Sequence, residues 1–201
     1  MHAKSQLSVG KPLMSSKAFG SSMNIKAQAG NPESSVSPSD LLTLLPYGTG
    51  FLFIDEFLEA DSLHTVARYR FRQSEFFYKG HFRDRALTPG VILLEAMCQG
   101  GMVAQGLYLL AHELGVENAR DYRFLVTGSE VEWLEQVLPG ESVLIRSQLS
   151  AWRKRRIRTD VKLFNDRGTL VATAAISGMG VLWGVEVQKN NSAARTTQNE
   201  V

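Results

Sequence analysis

Apolar and polar positions alternate along the chain in a way that sets out a series of elements. "SPSDLLTLLP" (37–46) predicts a short helix capped by Ser39 or Asp40 and ended by Pro46, which lacks the donor a continuing helix needs. "FLFIDEFLEA" (51–60) and "HTVARYRFR" (64–72) predict two strands, the second with Val66, Tyr69 and Phe71 in rough alternation. A loop carrying His81 follows. "TPG" (88–90) has the chemistry of a helix start, with Thr88 as cap, Pro89 in the first turn and Gly90 open to close approach. The apolar run after it predicts a helix to about Leu114, stopped by Gly115 and roughly 35 to 40 Å long at 1.5 Å per residue. Four extended segments come next, near 122–133, 141–152, 155–164 and 169–183, with turns at "VLPGE" (137–141) and "NDRG" (165–168).

A helix apolar on nearly every side has to be wrapped, and a curved antiparallel sheet is the wrapper this chain offers. Strand, strand, long helix and four strands is the order of the hotdog fold, an α+β architecture. Residues 39–186 are expected to form this one domain. The 44% hydrophobic and 21% charged composition of the 201 residues supplies a core of that size.

Composition adjusts the picture at the ends. Residues 1–38 are rich in Ser, Gly, Lys and Ala and hold one acid, Glu33, so they read as a disordered leader, and 187–201 as a polar tail. The leader lacks the apolar core of a secretory signal. It is acid-poor and Ser-rich but without Arg, so the expected location is the cytoplasm, with an organelle as the alternative. Residues 86–111 carry a single charge, Glu95, yet glycines and two Gln interrupt the run, and a buried helix is expected rather than a membrane span. The net charge of +2 calls for no nucleic-acid partner. Cys98, the only cysteine, lies among apolar neighbours and reads as a small buried hydrophobe.

The chemistry concentrates in "FFYKGHFRDRALTPGVILLEAMCQGG" (76–101). On the predicted helix, Ile92, Glu95, Gln99, Met102 and Gly106 share a face at spacings of three and four, so Gln99 can hydrogen-bond and orient the Glu95 carboxylate. A carboxyl group in apolar surroundings tends to keep its proton, which suits a general acid. Amides at the helix start near Gly90 can stabilise an oxyanion. His81 alone is a weak signal; with Gly90 and Glu95 it completes the parts for removing a proton α to a carbonyl while a β-hydroxyl leaves.

"LLPYGTGFLFIDEFLE", "FFYKGHFRDRALTPGVILLEAMCQ" and "VLPGE" resemble the FabZ-like 3-hydroxyacyl-acyl carrier protein dehydratases, whose pattern reads LLPHxxPFLLVD, FxGHFPxxPxxPGVLxxEAMAQ and VxPGD. The likeness spans about residues 41–182, and the intervals from His81 to Gly90 and Glu95 both match. Glu95, where the related FabA type has Asp, places the chain nearer FabZ. The resemblance implies a hotdog homodimer, or three such dimers in a hexamer, with each site shared between subunits. It implies His81 and Glu95 as catalytic residues and Gly90 as oxyanion donor; Gln99, from its place on the helix, is expected with Gly90 in the oxyanion and substrate-binding set. It also implies dehydration of an acyl-carrier-protein-linked 3-hydroxyacyl thioester to the trans-2-enoyl thioester in fatty-acid, polyketide or related lipid synthesis, with no metal or organic cofactor. The acyl chain is expected in an apolar tunnel to which Gly100 and Gly101 give room.

Four departures stand out. GHFP is GHFR here, the second loop proline is Ala86, the His of LLPH is Tyr47, and the basic R-F-K segment before VxPGD is Glu132-Trp133-Leu134. The lost prolines are expected to loosen the His81 loop. The altered basic segment shifts carrier docking to Lys79, Arg83 and Arg85, while "RKRRIR" (153–158) reads first as a solvated strand edge and second as a docking surface. Together these departures point to a specialised pathway. A hotdog acyl thioesterase and a non-catalytic hotdog partner subunit are the competing readings.

Overall fold

The structure, a computed structural model, describes residues 36–184. The leader and tail read from the sequence lie outside the described residues, except that packed structure already begins at Val36, which is buried. Helix α1 (Pro38–Leu44) starts from Ser37, not from Ser39 or Asp40. Ser37 Oγ accepts the Asp40 N–H, and the Asp40 carboxylate accepts the Ser37 N–H, a reciprocal capping box with Pro38 in the first turn. Leu41 and Leu44 are buried, and the helix stops before Pro46.

Six antiparallel strands form one sheet in the order β1-β2-β4-β5-β6-β3. They are β1 (Glu56–Ala60), β2 (His64–Arg70), β3 (Tyr122–Trp133), β4 (Ser142–Arg153), β5 (Arg156–Asn165) and β6 (Leu170–Leu182). Residues 51–55, expected as strand, precede β1: Phe51 and Phe53 are bonded to Gln99 of the long helix, while the Asp55 N–H already donates to Arg68 O of β2 at 2.8 Å. Gly140 and Gly168 take φ of 92° and 77° in the two turns the sequence marks. The basic run 153–158 is only partly strand, because Lys154 (φ 50°) and Arg155 (φ 62°) form a two-residue hairpin turn between β4 and β5.

The long helix α2 (Gly90–Leu114) crosses the concave face, ended by Gly115 at φ 86°, and a short α3 (Val116–Ala119) leads to β3. Its length and hydropathy would suffice to cross a membrane, yet 78% of its most apolar window is buried inside the fold. This is the α+β arrangement expected: a helix apolar all round, wrapped by a sheet.

Helix α2 is not uniform. Cys98–Val103 widen into a π turn, and every residue of that turn is buried. A Cβ added at Gly100 would sit 3.0 Å from Ile54 Cδ1 and 3.1 Å from Ile145 Cδ1, and one at Gly101 would sit 2.9 Å from Val161 Cγ2. The two glycines therefore let the helix backbone settle onto the sheet, and Thr65 Oγ1 donates to the Gly100 carbonyl at 2.7 Å. They leave no room for an acyl chain; the space next to them is filled by Ile54, which precedes β1, and by the sheet residues Ala67, Ile145, Ser147 and Val161. The π turn also breaks the single face read along α2. Glu95 and Gln99 stay together, whereas Met102 packs on Gly178 of β6 and Gly106 receives the Phe124 ring of β3.

Candidate active site

His81 follows a short 3-10 turn (Phe76–Lys79) and Gly80. Its backbone N–H donates to the Phe77 carbonyl at 3.0 Å, and its carbonyl accepts the Leu87 N–H at 3.0 Å. Phe82 N–H closes a smaller turn onto Arg85 O at 3.0 Å. Backbone hydrogen bonds thus restrain the loop in which the sequence lacks two prolines. The imidazole Nδ1 lies 2.9 Å from the Leu87 carbonyl. A carbonyl only accepts, so Nδ1 carries the hydrogen, and the neutral ring then presents a lone pair at Nε2. The ring, half-buried, rests against Phe82 with centroids 3.7 Å apart.

Thr88 does not cap α2. Its hydroxyl shares a 2.6 Å hydrogen bond with the Tyr78 hydroxyl, its N–H donates to Val137 O at 3.0 Å, and Pro89 takes the cap position. Gly90 and Val91, the first helical residues, have no intrahelical acceptor for their N–H groups. Gly90 is pressed by the Trp133 indole, whose Cε2 and Cζ2 would lie 3.3 Å from an added Cβ. Trp133, a departure from the family pattern in sequence, thereby becomes part of the surroundings of the helix start.

Glu95 is half-buried and has a partner. Gln99 Nε2 donates to Glu95 Oε1 at 2.9 Å and to the Phe51 carbonyl at 2.9 Å, while Gln99 Oε1 accepts the Phe53 N–H at 2.8 Å. Both amide hydrogens and the oxygen are committed and the residue is fully buried. Gln99 consequently orients Glu95, as its spacing implied, and has no free hydrogen left to donate to a substrate. Tyr47 was missed as a neighbour of this pair. Burial first, and then the nearby charge of Glu95, push its phenol well above the ordinary tyrosine range. Burial and, after it, the Glu95 charge push the Cys98 thiol up to about 12, in keeping with an inert buried cysteine.

Lys79, Arg83 and Arg85 are exposed around His81, and no ion pair among the described residues involves them. Arg153, Lys154, Arg156 and Arg158 line a groove at the β4–β5 hairpin, and Arg155 stacks over the Tyr122 ring at 5.4 Å. A groove of about 590 Å³ on the outer face of β2, β4 and β5, between Arg68, Arg146 and Phe164, contains none of His81, Gly90 and Glu95. Within one chain, His81 and Glu95 belong to two separate hydrogen-bonded groups, one built on Leu87 and the other on Gln99. No group of three or more His, Cys, Asp or Glu among the described residues is arranged to hold a metal ion.

A family model for the FabA-like domain matches residues 45–175. The chain is 31% identical over 151 residues to the 3-hydroxyacyl-[acyl-carrier-protein] dehydratase FabZ of Xanthomonas euvesicatoria pv. vesicatoria (strain 85-10), covering 72% of this chain and 93% of that one. It is 32% identical over 142 residues to the enzyme of the same name from Bartonella bacilliformis, covering 70% and 88%. Among solved structures, the dehydratase heterocomplex ApeI:P from Xenorhabdus doucetiae superposes with a TM-score of 0.59 at 14% identity, over 72% of this chain and 91% of that one, a likeness of fold. With matched family residues running from the end of α1 into β6, the chain belongs to the FabA-like family, among its FabZ-type dehydratases.

Proposed function

We infer that the chain dehydrates 3-hydroxyacyl thioesters to trans-2-enoyl thioesters, as the names of its FabZ relatives describe. The enzyme is a hydro-lyase of lipid synthesis. The observation that carries the assignment of roles is the pair of restrained groups: His81 with Nδ1 held by Leu87 O, and Glu95 held by Gln99. His81 Nε2 takes the proton from C2 of the substrate. The thioester oxygen gains charge and is met by the Gly90 N–H at the helix start. The C2–H electron pair becomes the C2=C3 bond, the C3–O bond breaks, and Glu95 in its acid form gives the leaving oxygen its proton, releasing water. Return of the proton from His81 to Glu95 resets the site.

The sheet supports a homodimer. Strand β3 has a neighbour only in β6, so one edge of its twelve residues is open, with Leu125, Val126 and Trp133 45%, 47% and 44% exposed. A two-fold antiparallel pairing of β3 with β3 closes that edge and sets each helix start beside the other subunit. His81 of one protomer then works with Glu95 of its mate, and three such dimers make the hexamer. An acyl carrier protein brings the substrate, docking on Lys79, Arg83 and Arg85. The β4–β5 hairpin, at the Leu125 end of β3, comes alongside the site of the paired subunit in the same assembly. The reaction is placed in the cytoplasm.

The test is the purified full chain with carrier-linked and CoA-linked 3-hydroxyacyl substrates, following the enoyl thioester by absorbance. His81→Ala and Glu95→Gln are expected to lower kcat by about 10²- to 10⁴-fold. Release of free thiol without enoyl product would establish a thioesterase instead, and full activity in both variants would remove these residues from the mechanism.

A further inference from the structure

Helix α2 begins without a side-chain cap for its first amides. Thr88 commits its hydroxyl to Tyr78, and Pro89, in the cap position, has no side-chain acceptor. The Gly90 and Val91 N–H groups therefore stay free, and other contacts have to hold the first turn in place. Beyond the Tyr78–Thr88 hydrogen bond, two such contacts come from the segment that ends β3. Val137 O accepts the Thr88 N–H at 3.0 Å. Four residues earlier, the Trp133 indole lies on Gly90: the three heavy atoms nearest to a Cβ added there are its Cε2, Cζ2 and Cη2, at 3.3, 3.3 and 3.7 Å. The indole rests on anchored backbone. Trp133 faces Ala172 in the β3–β6 ladder, and the Leu134 and Glu135 N–H groups both donate to Val171 O, at 2.8 and 3.1 Å. At 44% exposure, the indole is not there to fill the core.

Resting on the function inferred above, we propose that Trp133 is a positioning residue for the dehydration, acting through Gly90: its indole, packed on the bare glycine backbone, holds the uncapped start of α2 and leaves the N–H free to meet the thioester oxygen. The direction of that N–H is already set, because it shares a planar peptide unit with the Pro89 carbonyl. This carbonyl accepts the Ile92 and Leu93 N–H groups at 2.9 and 3.1 Å. What those bonds do not set is the place of the whole turn against the sheet, and a glycine has no side chain by which neighbours could fix it. A flat, rigid indole against the backbone supplies that restraint. A hydroxyl or carboxylate cap would also hold the turn, but only by accepting the first-turn amides that the oxyanion needs. Donors stabilise an oxyanion at about 2.7–3.1 Å, so a displacement of a few tenths of an ångström at Gly90 matters.

The experiment compares the full chain with Trp133→Leu, Gly90→Ala and the double variant. Trp133→Leu is expected to lower kcat by about tenfold, with KM changed less than about twofold. Gly90→Ala, whose methyl group presses first on the indole, is expected to lose a similar factor. The double variant should be no slower than Trp133→Leu alone, because the added methyl then has no indole to push. A second readout is the infrared band of the isotope-labelled carbonyl of a bound saturated acyl thioester, which has no hydroxyl to lose. That band should be lowered in the wild type and return toward its free position in Trp133→Leu. Unchanged kcat in Trp133→Leu, or losses that multiply in the double variant, would overturn the proposal. So would a loss that disappears as protein concentration is raised, which would assign Trp133 to the subunit contact alone. If Trp133→Leu does not fold, Trp133→Phe, which also withdraws the outer indole ring from Gly90, carries the same comparison. An inactive wild-type chain, or a carbonyl band unshifted in the wild type, would instead strike at the function inferred above, so the two failures are distinguishable.

Discussion

Replacing Gln99 with Met isolates what its amide does for the fold. Methionine keeps the length and unbranched shape of glutamine, so packing around this fully buried position is conserved while all three hydrogen bonds disappear. The Phe53 N–H, now at 2.8 Å from Gln99 Oε1, is left buried without an acceptor, which costs about 1–3 kcal/mol. The Phe51 carbonyl and the Glu95 carboxylate are only partly buried, so water replaces part of their loss and together they add about 1 kcal/mol. The expected destabilisation is about 3 kcal/mol. For a domain of this size that lowers the unfolding temperature by about 6–12 °C. Thermal unfolding followed by circular dichroism, at one fixed protein concentration because the chain is expected to dimerise, measures it. Gln99→Ala, run alongside, adds a cavity, so the difference between the two variants gives the packing contribution. A shift below about 3 °C for Gln99→Met would show that the three hydrogen bonds are replaced without cost, and would refute the view that Gln99 ties residues 51–53 to α2.

Three further outcomes follow from the same physical reasoning. Gly101→Ala gains about 1 kcal/mol of helix propensity but pushes a methyl group to 2.9 Å from Val161 Cγ2, an overpacking cost of about 1–3 kcal/mol, so urea unfolding should show a net loss; unchanged stability with an altered acyl-length preference would restore the tunnel at this position. Cys98 is a neutral thiol in both states below its ordinary value of 9.0; above it the unfolded thiol ionises while the folded one, held up to about 12, does not, so stability falls by about 1.4 kcal/mol per pH unit, and urea midpoints at pH about 8 and about 10.5 should draw closer in Cys98→Ala. Ser37→Ala removes the capping box of α1 and should cost about 1 kcal/mol in the same unfolding assay, whereas Ser39→Ala should cost little, the reverse order being evidence for the cap read from sequence.

The legible parts of the fold were those written in local pattern. The turns at Gly140 and Gly168, the stop at Gly115 and the four long strands follow from residues whose conformational preferences need no distant partner. The pairing of Glu95 with Gln99 follows from helical spacing alone. The misread features depend on contacts across the chain. Thr88 had the right chemistry for a cap, but Tyr78, ten residues earlier, takes its hydroxyl. The cap of α1 was within reach of the sequence, since Pro38 in a first helical turn points to Ser37. The π turn lies where helix and sheet come closest, at Gly100 and Gly101, a closeness that periodicity does not report. The hairpin at Lys154 and Arg155 has positive φ without Gly, Asn or Asp, so its turn carried no local signal. Tyr47 stood out in sequence only as a missing histidine, and its nearness to Glu95 depends on the path of residues 48–53.

The sheet order carries a consequence for how the chain folds. Strand β3 is the first made after α2, yet its sole ladder partner, β6, is the last strand among the described residues, and β4 and β5 are synthesised in between. During synthesis β3 must wait, unpaired on both edges, until Leu170–Leu182 emerges. The loop closed by that pairing runs from Trp133 to Ala172 at its shortest, which makes it a late, slow event compared with the hairpins β4–β5 and β5–β6. A nascent chain released before β6 is complete would expose a twelve-residue strand ready to pair with any other copy, so the final strand decides whether β3 becomes an ordered edge or a seed for aggregation.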